Sequence, residues 1–238
     1  MAAPITITAM TAFASRDIDT TGDLAPANAW LTAVGLACRR GDRVLFRGLD
    51  FVLRPGQIVW VRGSNGRGKT SLLRLVAGLS APEDGEIHFG GVPLRRAGAE
   101  FQQQLLYLAH ANALKDDLTA VEALGFLARL HGQTADRAAL LRALDALALG
   151  QRRDAPVRTL SQGQRRRVCL ARLALRPVKP LWVLDEPYDA LDADGCALVD
   201  ALLCAHAQQG GSVMLTSHLP LNIRQPLPLE LVLPGVVA

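Results

Sequence analysis

Long hydrophobic runs are missing from this chain of 238 residues. No window approaches the roughly 18 consecutive apolar residues that a transmembrane helix needs, and the most apolar stretches, 181–184 and 213–215, have the length of strands. We therefore expect that the chain does not span a bilayer by itself. Residues 1–28 have neither the basic nor the apolar segment of a secretory signal peptide, and their Ala, Thr and Asp content is typical of a mobile tail. This favours a protein that stays in the cytoplasm.

Aromatic residues are also few, at 5% of the chain, and only 20% of the residues are charged, whereas 50% are apolar. This composition is far from the low hydrophobicity and high charge of disordered chains. The four cysteines form no C-x-x-C pair, which favours buried free thiols in a reducing compartment over a metal site. The length excludes a disulfide-held miniprotein and suits one large α/β domain or two small ones.

Arginine supplies most of the positive charge behind the net +4, and several arginines cluster between residues 152 and 167. A basic cluster of this kind is compatible with nucleic acid, phosphate or anionic lipid as a partner. The charge alone does not choose among these three.

The elements predicted after the tail begin with strands. Strand patterns over residues 30–62 lead into a glycine-rich loop at 63–68, and a helix pattern over 71–77 follows. A hairpin over 85–92 and a buried strand over 105–108 come next.

Residues 112–158 differ because they contain helix patterns only. Thr119 and Glu122 have the spacing of a capping box at the head of one Leu/Ala helix, and a second such helix is predicted from about 135 to Leu149, ending at Gly150. This predicts a helical insertion.

The α/β pattern returns after the insertion. It predicts helices at 162–175 and around 194–208, with buried strands at 181–184 and 213–216. The last twenty residues contain four prolines and show no clear pattern.

The glycine-rich loop matches the pattern G-x-x-x-x-G-K-[ST] of a phosphate-binding loop. Its residues are Gly63, Ser64, Asn65, Gly66, Arg67, Gly68, Lys69 and Thr70, and Ser71 follows as a further nucleotide-binding candidate. In this pattern the glycines turn backbone N–H groups towards a phosphate, the lysine reaches the β- and γ-phosphates, and the threonine hydroxyl ligates Mg²⁺. The strand before the loop and the helix after it favour this interpretation over a simple glycine turn.

Two carboxylates follow the apolar run 181–184. A strand buried on both faces would place Asp185 at the carboxyl edge of a parallel sheet, where a Mg²⁺-bound water needs a carboxylate. Glu186 would then act as the base for the attacking water. The simpler alternative is an acidic turn after a buried strand, but the phosphate-binding loop upstream favours the catalytic interpretation.

A basic helix pattern follows the segment 160–164, which reads LSQGQ. Ser161 suits the N-cap of that helix, and its hydroxyl with the helix N-terminus also suits an anion site. The segment resembles the signature of ABC-type ATPases, and its place between the phosphate loop and Asp185 matches that family. The resemblance implies that Ser161, Gly163 and Gln164 close over the γ-phosphate of ATP held by a second subunit, and hence a head-to-tail dimer with two shared ATP sites.

Two further segments resemble ABC proteins. Residues 190–192 resemble the loop that crosses the dimer interface after the catalytic glutamate, which makes Asp192 a candidate at the shared site. Residues 216–218 resemble the strand end that carries a histidine contacting the γ-phosphate. A lone histidine is more often structural, but its place at the end of an apolar strand after Glu186 favours a catalytic His218.

At two positions the chain departs from the usual ABC pattern and resembles one branch of the family instead. His110 stands where ABC proteins usually carry a glutamine, and Arg40 lies where an adenine-stacking aromatic is usual, which makes both nucleotide-site candidates. The departures resemble the ATP-binding subunit of the haem exporter in bacterial cytochrome c maturation. His110 either couples the nucleotide state to a membrane subunit or is structural. Further segments resemble the same subunit: 105–110, 118–124, 163–168, 190–195 and 218–222.

The resemblance implies an α/β P-loop NTPase of ABC type, with a parallel core sheet, an antiparallel β flank and a helical subdomain at about 112–158. The predicted ATPase domain spans 29–224, between the tail 1–28 and a C-terminal segment 225–238. ATP and Mg²⁺ are the implied cofactors. The implied partners are transmembrane ABC subunits of a haem-handling complex and a second copy of the chain, with no nucleic acid. The implied location is the cytoplasmic face of the bacterial inner membrane, as a peripheral subunit.

Two alternatives stay open at this point. One is an ATPase subunit of an ABC transporter for another substrate, because the sequence itself shows no haem site. The other is a soluble ABC ATPase that acts on nucleic acid or ribosomes, although such proteins usually carry extra modules for which 238 residues leave no room.

Overall fold

The computed structural model describes residues 6–7, 30–175 and 178–234. The strands are β1 (Thr6–Ile7), β2 (Leu31–Arg40), β3 (Arg43–Leu53), β4 (Ile58–Arg62), β5 (Asp84–Phe89), β6 (Val92–Pro93), β7 (Leu105–Leu108), β8 (Leu181–Leu184), β9 (Ser212–Thr216) and β10 (Leu229–Val232). The α-helices are α1 (Lys69–Val76), α2 (Leu94–Gln104), α3 (Ala120–Leu130), α4 (Arg137–Ala146), α5 (Gln162–Leu170) and α6 (Ala193–Gln208). The predicted α/β fold is confirmed.

Six strands form a parallel sheet in the order β1-β10-β4-β9-β8-β7. The central strands are short apolar runs that are almost wholly buried, as expected for a parallel sheet covered on both faces. In the register Val61 lies opposite Thr216, and Leu184 lies between Leu108 and Leu215. The carboxyl ends of β4, β7, β8 and β9 therefore meet at one edge of the sheet, which we call the carboxyl edge.

The predicted antiparallel flank is a second sheet with the strand order β3-β2-β5-β6. Leu49 and Leu53 are four positions apart and so lie on the same face of β3, as the two-residue period of a strand requires, and both are fully buried. They share a hydrophobic cluster with Leu73 of α1 and Val183 of β8. This cluster packs the antiparallel sheet and α1 against one face of the parallel sheet.

The opposite face of the parallel sheet packs against helices. Leu124 of α3, Leu144 of α4 and Val168 of α5 share a second cluster with Trp182 of β8. The capping box predicted at the start of α3 is present, because the Thr119 N–H donates to the Glu122 carboxylate at 2.8 Å and the Glu122 N–H donates to the Thr119 hydroxyl at 3.4 Å.

The second helix of the insertion is shorter than predicted, because α4 ends at Ala146 rather than at Gly150. The chain leaves the helix through Ala148, whose φ of 55° is left-handed, and the Leu149 N–H returns to the Leu144 carbonyl at 2.9 Å. This turn buries Leu149. A Cβ at Gly150 would lie 2.4 Å from Oδ1 of the exposed Asp145 side chain, so a larger residue there requires that carboxylate to move.

The helix predicted over 162–175 is α5 only as far as Leu170, and a 3₁₀ turn over Ala171–Ala174 continues it. Helix α2 was not predicted, because its polar sequence is interrupted at Gly98, where the backbone is non-helical. Among the described residues, no helix is both long and apolar enough to cross a membrane.

The C-terminal segment contains a strand that the sequence pattern did not indicate. β10 pairs in parallel with β4, so residues 229–232 belong to the core sheet. The pattern is hidden by Glu230, a charged residue inside the strand, which Arg62 binds at 3.0 Å. Residues 6–7 of the predicted tail pair with β10 as β1. The rest of that tail lies outside the described residues.

Candidate functional site

The phosphate loop, residues 63–70, connects β4 to α1 at the carboxyl edge. Gly63, Gly66 and Gly68 have φ angles of 154°, 75° and 95°, which side chains disfavour. A Cβ on Gly68 would lie 3.0 Å from the Leu45 Cβ and 3.3 Å from Phe46 Cδ1. Glycine is therefore required at 68 both by the backbone conformation and by the close approach of strand β3.

Helix α1 begins directly at the end of this loop. Its N-cap is Gly68, so no side chain caps the N–H groups of the first turn. Uncapped N–H groups at a helix N-terminus form a binding site for anions. The Lys69 ammonium donates to the Gly63 carbonyl at 2.8 Å, which folds the lysine side chain back over the loop. The loop thus brings backbone donors and one ammonium group together.

Asp185 lies below the loop, at the end of β8, and is 2% exposed. Its Oδ1 accepts hydrogen bonds from the Thr70 hydroxyl at 3.2 Å and from the Thr216 hydroxyl at 2.9 Å. Its Oδ2 is buried and has no hydrogen-bond partner in the described part of the chain. An unpaired buried carboxylate oxygen is costly, so this atom is suited to a ligand.

Glu186 follows with an unusual backbone, because its φ is 50° although it is not a glycine. Its N–H donates to the Thr216 hydroxyl at 2.8 Å. The carboxylate accepts from the His218 N–H at 3.0 Å and lies 3.4 Å from the His218 Nε2. The Glu186 side chain is only 12% exposed, whereas that of His218 is 60% exposed. The fold therefore brings Lys69, Thr70, Asp185, Glu186 and His218 to one edge of the sheet.

The segment 160–164, which we call the signature segment, lies at the start of α5. Ser161 is the N-cap: its hydroxyl accepts from the Gln164 N–H at 3.1 Å, while the Gln164 side chain accepts from the Ser161 N–H at 3.0 Å. A Cβ on Gly163 would lie 2.7 Å from the Ala190 carbonyl oxygen. Within the described residues, no hydrogen bond joins Ser161, Gly163 or Gln164 to the phosphate loop.

Asp192 is held within its own chain. It is the N-cap of α6, where it accepts from the Gly195 N–H at 2.9 Å, and it forms an ion pair with Arg167 of α5. The hydrogen bond from Gly195, and then the Arg167 guanidinium, hold the pKa of this carboxyl below its usual range. Asp192 is therefore ionised at neutral pH.

The two departures, Arg40 and His110, are both exposed. Arg40 ends β2 in the hairpin whose second strand, β3, contacts Gly68. His110 follows β7, and its carbonyl accepts from Arg166 at 3.2 Å. In the described residues, no hydrogen bond links the His110 side chain to the group around Asp185.

Two residues of the site were missed by the sequence analysis. Thr216 joins Asp185 to Glu186, but as a threonine at the end of a strand it carries no distinguishing signal. Arg166 is a buried arginine of α5 and contacts both sequence segments that flank the carboxyl edge. Its position three residues before Cys169 and four before Leu170, on the buried helix face, could have indicated it.

Comparisons with known proteins extend this description. Residues 46–189 match the family model of the ABC transporter. The chain is 51% identical over 188 residues to the cytochrome c biogenesis ATP-binding export protein CcmA of Pseudomonas putida, a match that covers 79% of this chain and 89% of the relative. It is 46% identical over 198 residues to the protein of the same name in Methylococcus capsulatus, covering 83% and 95%.

Solved structures share the fold. An ATP-binding subunit of an ABC transporter superposes with a TM-score of 0.74 at 23% identity, covering 86% of this chain and 85% of that one. An ATP-binding cassette solved as a dimer in a post-hydrolysis state, bound to ADP and phosphate, gives a TM-score of 0.73 at 20% identity, covering 85% and 94%. At these identities the likeness shows the fold alone.

Proposed function

The chain belongs to the ABC transporter family and, within it, to the cytochrome c biogenesis ATP-binding export proteins, and from this premise we propose that its ATP hydrolysis powers the export of haem, or its delivery for attachment to apocytochrome c. One observation carries the chemical part of the proposal. Thr70, Asp185, Glu186 and His218 form one connected group of contacts below a phosphate loop.

The phosphate loop binds the nucleotide phosphates. The left-handed glycines and the uncapped start of α1 supply backbone N–H donors, and Lys69 supplies a positive charge. The Lys69 ammonium donates to the Gly63 carbonyl at 2.8 Å, so it is already turned towards the loop. Arg40, on the neighbouring hairpin, is our candidate for contact with the adenine base.

Thr70 and Asp185 fit a magnesium ion. Mg²⁺ prefers hard oxygen ligands and usually binds one or two protein groups together with water and phosphate. The Thr70 hydroxyl lies 3.2 Å from the Asp185 Oδ1, and the Asp185 Oδ2 is buried without a hydrogen-bond partner in the described part of the chain. When bound, the ion neutralises negative charge on the phosphates.

Glu186 is the base that orients the attacking water and accepts its proton. The Thr216 hydroxyl fixes its backbone N–H, and the His218 N–H fixes one carboxylate oxygen. The His218 ring lies beside the other oxygen but is largely exposed, so it is placed to contact the γ-phosphate while it holds Glu186.

The second nucleotide contact comes from another copy of the chain. Ser161, Gly163 and Gln164 stand at an exposed helix start with no hydrogen bond to the phosphate loop in the described residues, which supports a head-to-tail dimer. Asp192 lies on the adjoining loop and is our candidate for the dimer contact. The relatives are named as export proteins, which supports membrane partners. We propose further that these partners are transmembrane ABC subunits and that the chain has a peripheral position on the cytoplasmic face of the bacterial inner membrane.

The test of this function replaces the base. Glu186→Gln should lower the turnover number for ATP by about 10² to 10³-fold, because the amide cannot accept the proton. ATP affinity should stay unchanged, since Lys69, Thr70 and Asp185 are intact, and the protein should accumulate as an ATP-bound dimer. Hydrolysis is measured by phosphate release and the dimer by gel filtration. Glu100→Gln, an exposed carboxylate on α2, is the control and should behave as the wild type.

The export role is tested in cells. A strain whose chromosomal copy carries Glu186→Gln should lose c-type cytochromes, measured by haem staining. Normal cytochrome c maturation in that strain, together with loss of ATPase activity in the purified protein, would assign the ATPase to a transporter for another substrate.

A further inference from the structure

Arg166 is the most deeply buried positively charged residue near the site, at 2% exposure. It lies on α5, two residues after the signature segment. Its Nη1 donates to the Ala109 carbonyl at 3.0 Å, the His110 carbonyl at 3.2 Å and the Asn112 Oδ1 at 3.1 Å. One nitrogen therefore holds the whole turn that follows β7.

The other end of the same guanidinium holds the turn after β8. Nη2 donates to the Asp185 carbonyl at 2.8 Å and to the Glu186 carbonyl at 2.7 Å. The guanidinium thus joins three chain segments that are distant in sequence: the turn that carries His110, the turn that carries the catalytic base and the helix that begins at the signature segment.

The burial of this cation is not explained by an ion pair. No carboxylate oxygen in the described residues lies within ion-pair distance of Arg166; its hydrogen-bond partners are four carbonyls and an amide. Burial lowers the pKa of the guanidinium from its usual value, and nearby negative groups oppose that shift. Because an apolar side chain fills a core at less cost, the arginine is best explained by the directions in which its two terminal nitrogens, Nη1 and Nη2, donate.

Those directions matter at Glu186. Its left-handed φ of 50° is unfavourable for a side chain and persists only where neighbouring groups over-determine it. The Thr216 hydroxyl holds the N–H of this residue and Arg166 holds its carbonyl. With both ends of the residue fixed, the carboxylate is aimed in one direction.

We propose that Arg166 is a positioning residue for ATP hydrolysis. It aligns the backbones of His110 and Glu186 and couples their positions to the orientation of α5, the helix that begins at the signature segment. This inference rests on the proposed function. The signature segment serves the nucleotide of the partner copy, so a shift of α5 on dimerisation reaches the catalytic base of the same chain through Arg166. Each chain thereby senses the partner's nucleotide when it orients its own base.

The experiment uses the full chain copurified with its membrane partners and compares Arg166→Met with Arg166→Lys. Methionine fills the space without donors, so turnover should fall about 100-fold, the cost of a small misplacement of a catalytic group. Lysine keeps the charge and satisfies a few acceptors, so turnover should fall about 10-fold. Affinity for a fluorescent ATP analogue should change by less than about 3-fold in both, because the phosphate loop is untouched.

Arg172 provides the matched control. It follows on the same helical segment, is 4% exposed, and within the described residues its side chain makes no hydrogen bond. Arg172→Met removes an equally buried cation but no directed contact with the site. Its turnover should stay within about 3-fold of the wild type. Thermal unfolding of all variants verifies that they fold; if Arg166→Met does not, Arg166→Lys carries the comparison.

Three results would overturn the inference. One is wild-type turnover in both Arg166 variants while Glu186→Gln is inactive. The second is an equal loss in Arg172→Met, which would attribute the effect to the core. The third is a loss of ATP affinity that matches the loss of turnover. Wild-type activity of Glu186→Gln would instead contradict the proposed function, so the two failures are distinguishable.

Discussion

The phosphate loop and the signature segment both end at the start of a helix, but they treat the helix N-terminus in opposite ways. At α1 the N-cap is Gly68 and no side chain satisfies the first-turn N–H groups. At α5 Ser161 and Gln164 satisfy each other's backbone N–H groups in a capping box. The N-terminus of α1 is therefore open to a nucleotide bound by the same chain. The N-terminus of α5 is capped by its own side chains and is proposed to contact the nucleotide of the partner copy.

Their glycines differ in the same sense. Gly68 has a φ of 95° and is also close to Leu45, so both conformation and space require glycine. Gly163 lies at an ordinary helix start, and only the close approach of the Ala190 carbonyl, 2.7 Å from a Cβ, requires glycine there. One glycine shapes a ligand site and the other allows two loops of the protein to pack.

The largest effect is expected from mixing two inactive variants. Lys69→Ala removes the ammonium group of the phosphate loop, and Ser161→Arg blocks the signature segment, so each homodimer should have almost no ATPase activity. A mixed dimer keeps one intact site, because the two changes fall on the same composite site. Random pairing of equal amounts should restore about a quarter of the wild-type rate if the sites turn over independently.

Phosphate release is measured against protein concentration, with each variant alone as the control. Persistent inactivity of the mixture, although crosslinking shows that mixed dimers form, would mean that the two segments do not share a site or that one site alone cannot turn over.

A smaller effect should separate the two glycines. Gly68→Ala should lower the free energy of unfolding by about 1–3 kcal/mol and also weaken ATP binding, because the loop must change its conformation. Gly163→Ala should weaken packing against Ala190 by a similar amount but leave the ATP affinity of the monomeric protein unchanged, since Gly163 is proposed to contact only the nucleotide of the partner copy and lies outside the phosphate loop. Denaturant unfolding and nucleotide titration check this. Equal ATP affinities in the two variants would contradict the claim that Gly68, unlike Gly163, shapes the site that binds the nucleotide of its own chain.

The smallest effect concerns Ser161 itself. Ser161→Ala should cost about 1 kcal/mol of stability through loss of the cap, and Ser161→Asp should cost almost none, because aspartate caps as well as serine. ATPase activity should show the opposite order, since a carboxylate repels the phosphate of the partner's nucleotide. Unfolding midpoints and ATPase rates are measured for both. Full activity of Ser161→Asp would mean that the hydroxyl only caps the helix.

The phosphate loop was predictable because all its parts are local. Strand, glycines, lysine and helix are adjacent in sequence, and the pattern G-x-x-x-x-G-K-[ST] contains the whole anion site. The same holds for the capping box of Thr119 and Glu122. By contrast, the sequence did not show that α4 ends at Ala146 and that the chain turns through Ala148 rather than through Gly150, because the burial of Leu149 outweighs the preference of glycine for a left-handed φ.

The sequence by itself determined most of the strands and helices, with α2 and β10 as exceptions, together with the phosphate loop, the Asp185-Glu186 pair and the signature segment, because each depends on residues that are close in the chain. Only the tertiary structure decided which strands are neighbours. It also decided that Glu230 lies inside a core strand and that Thr216 and Arg166 connect the residues at the carboxyl edge. Those contacts join residues between 19 and 168 positions apart. Four of the five hydrogen-bond partners of Arg166 are backbone carbonyls, which every residue carries, and so no sequence pattern distinguishes them.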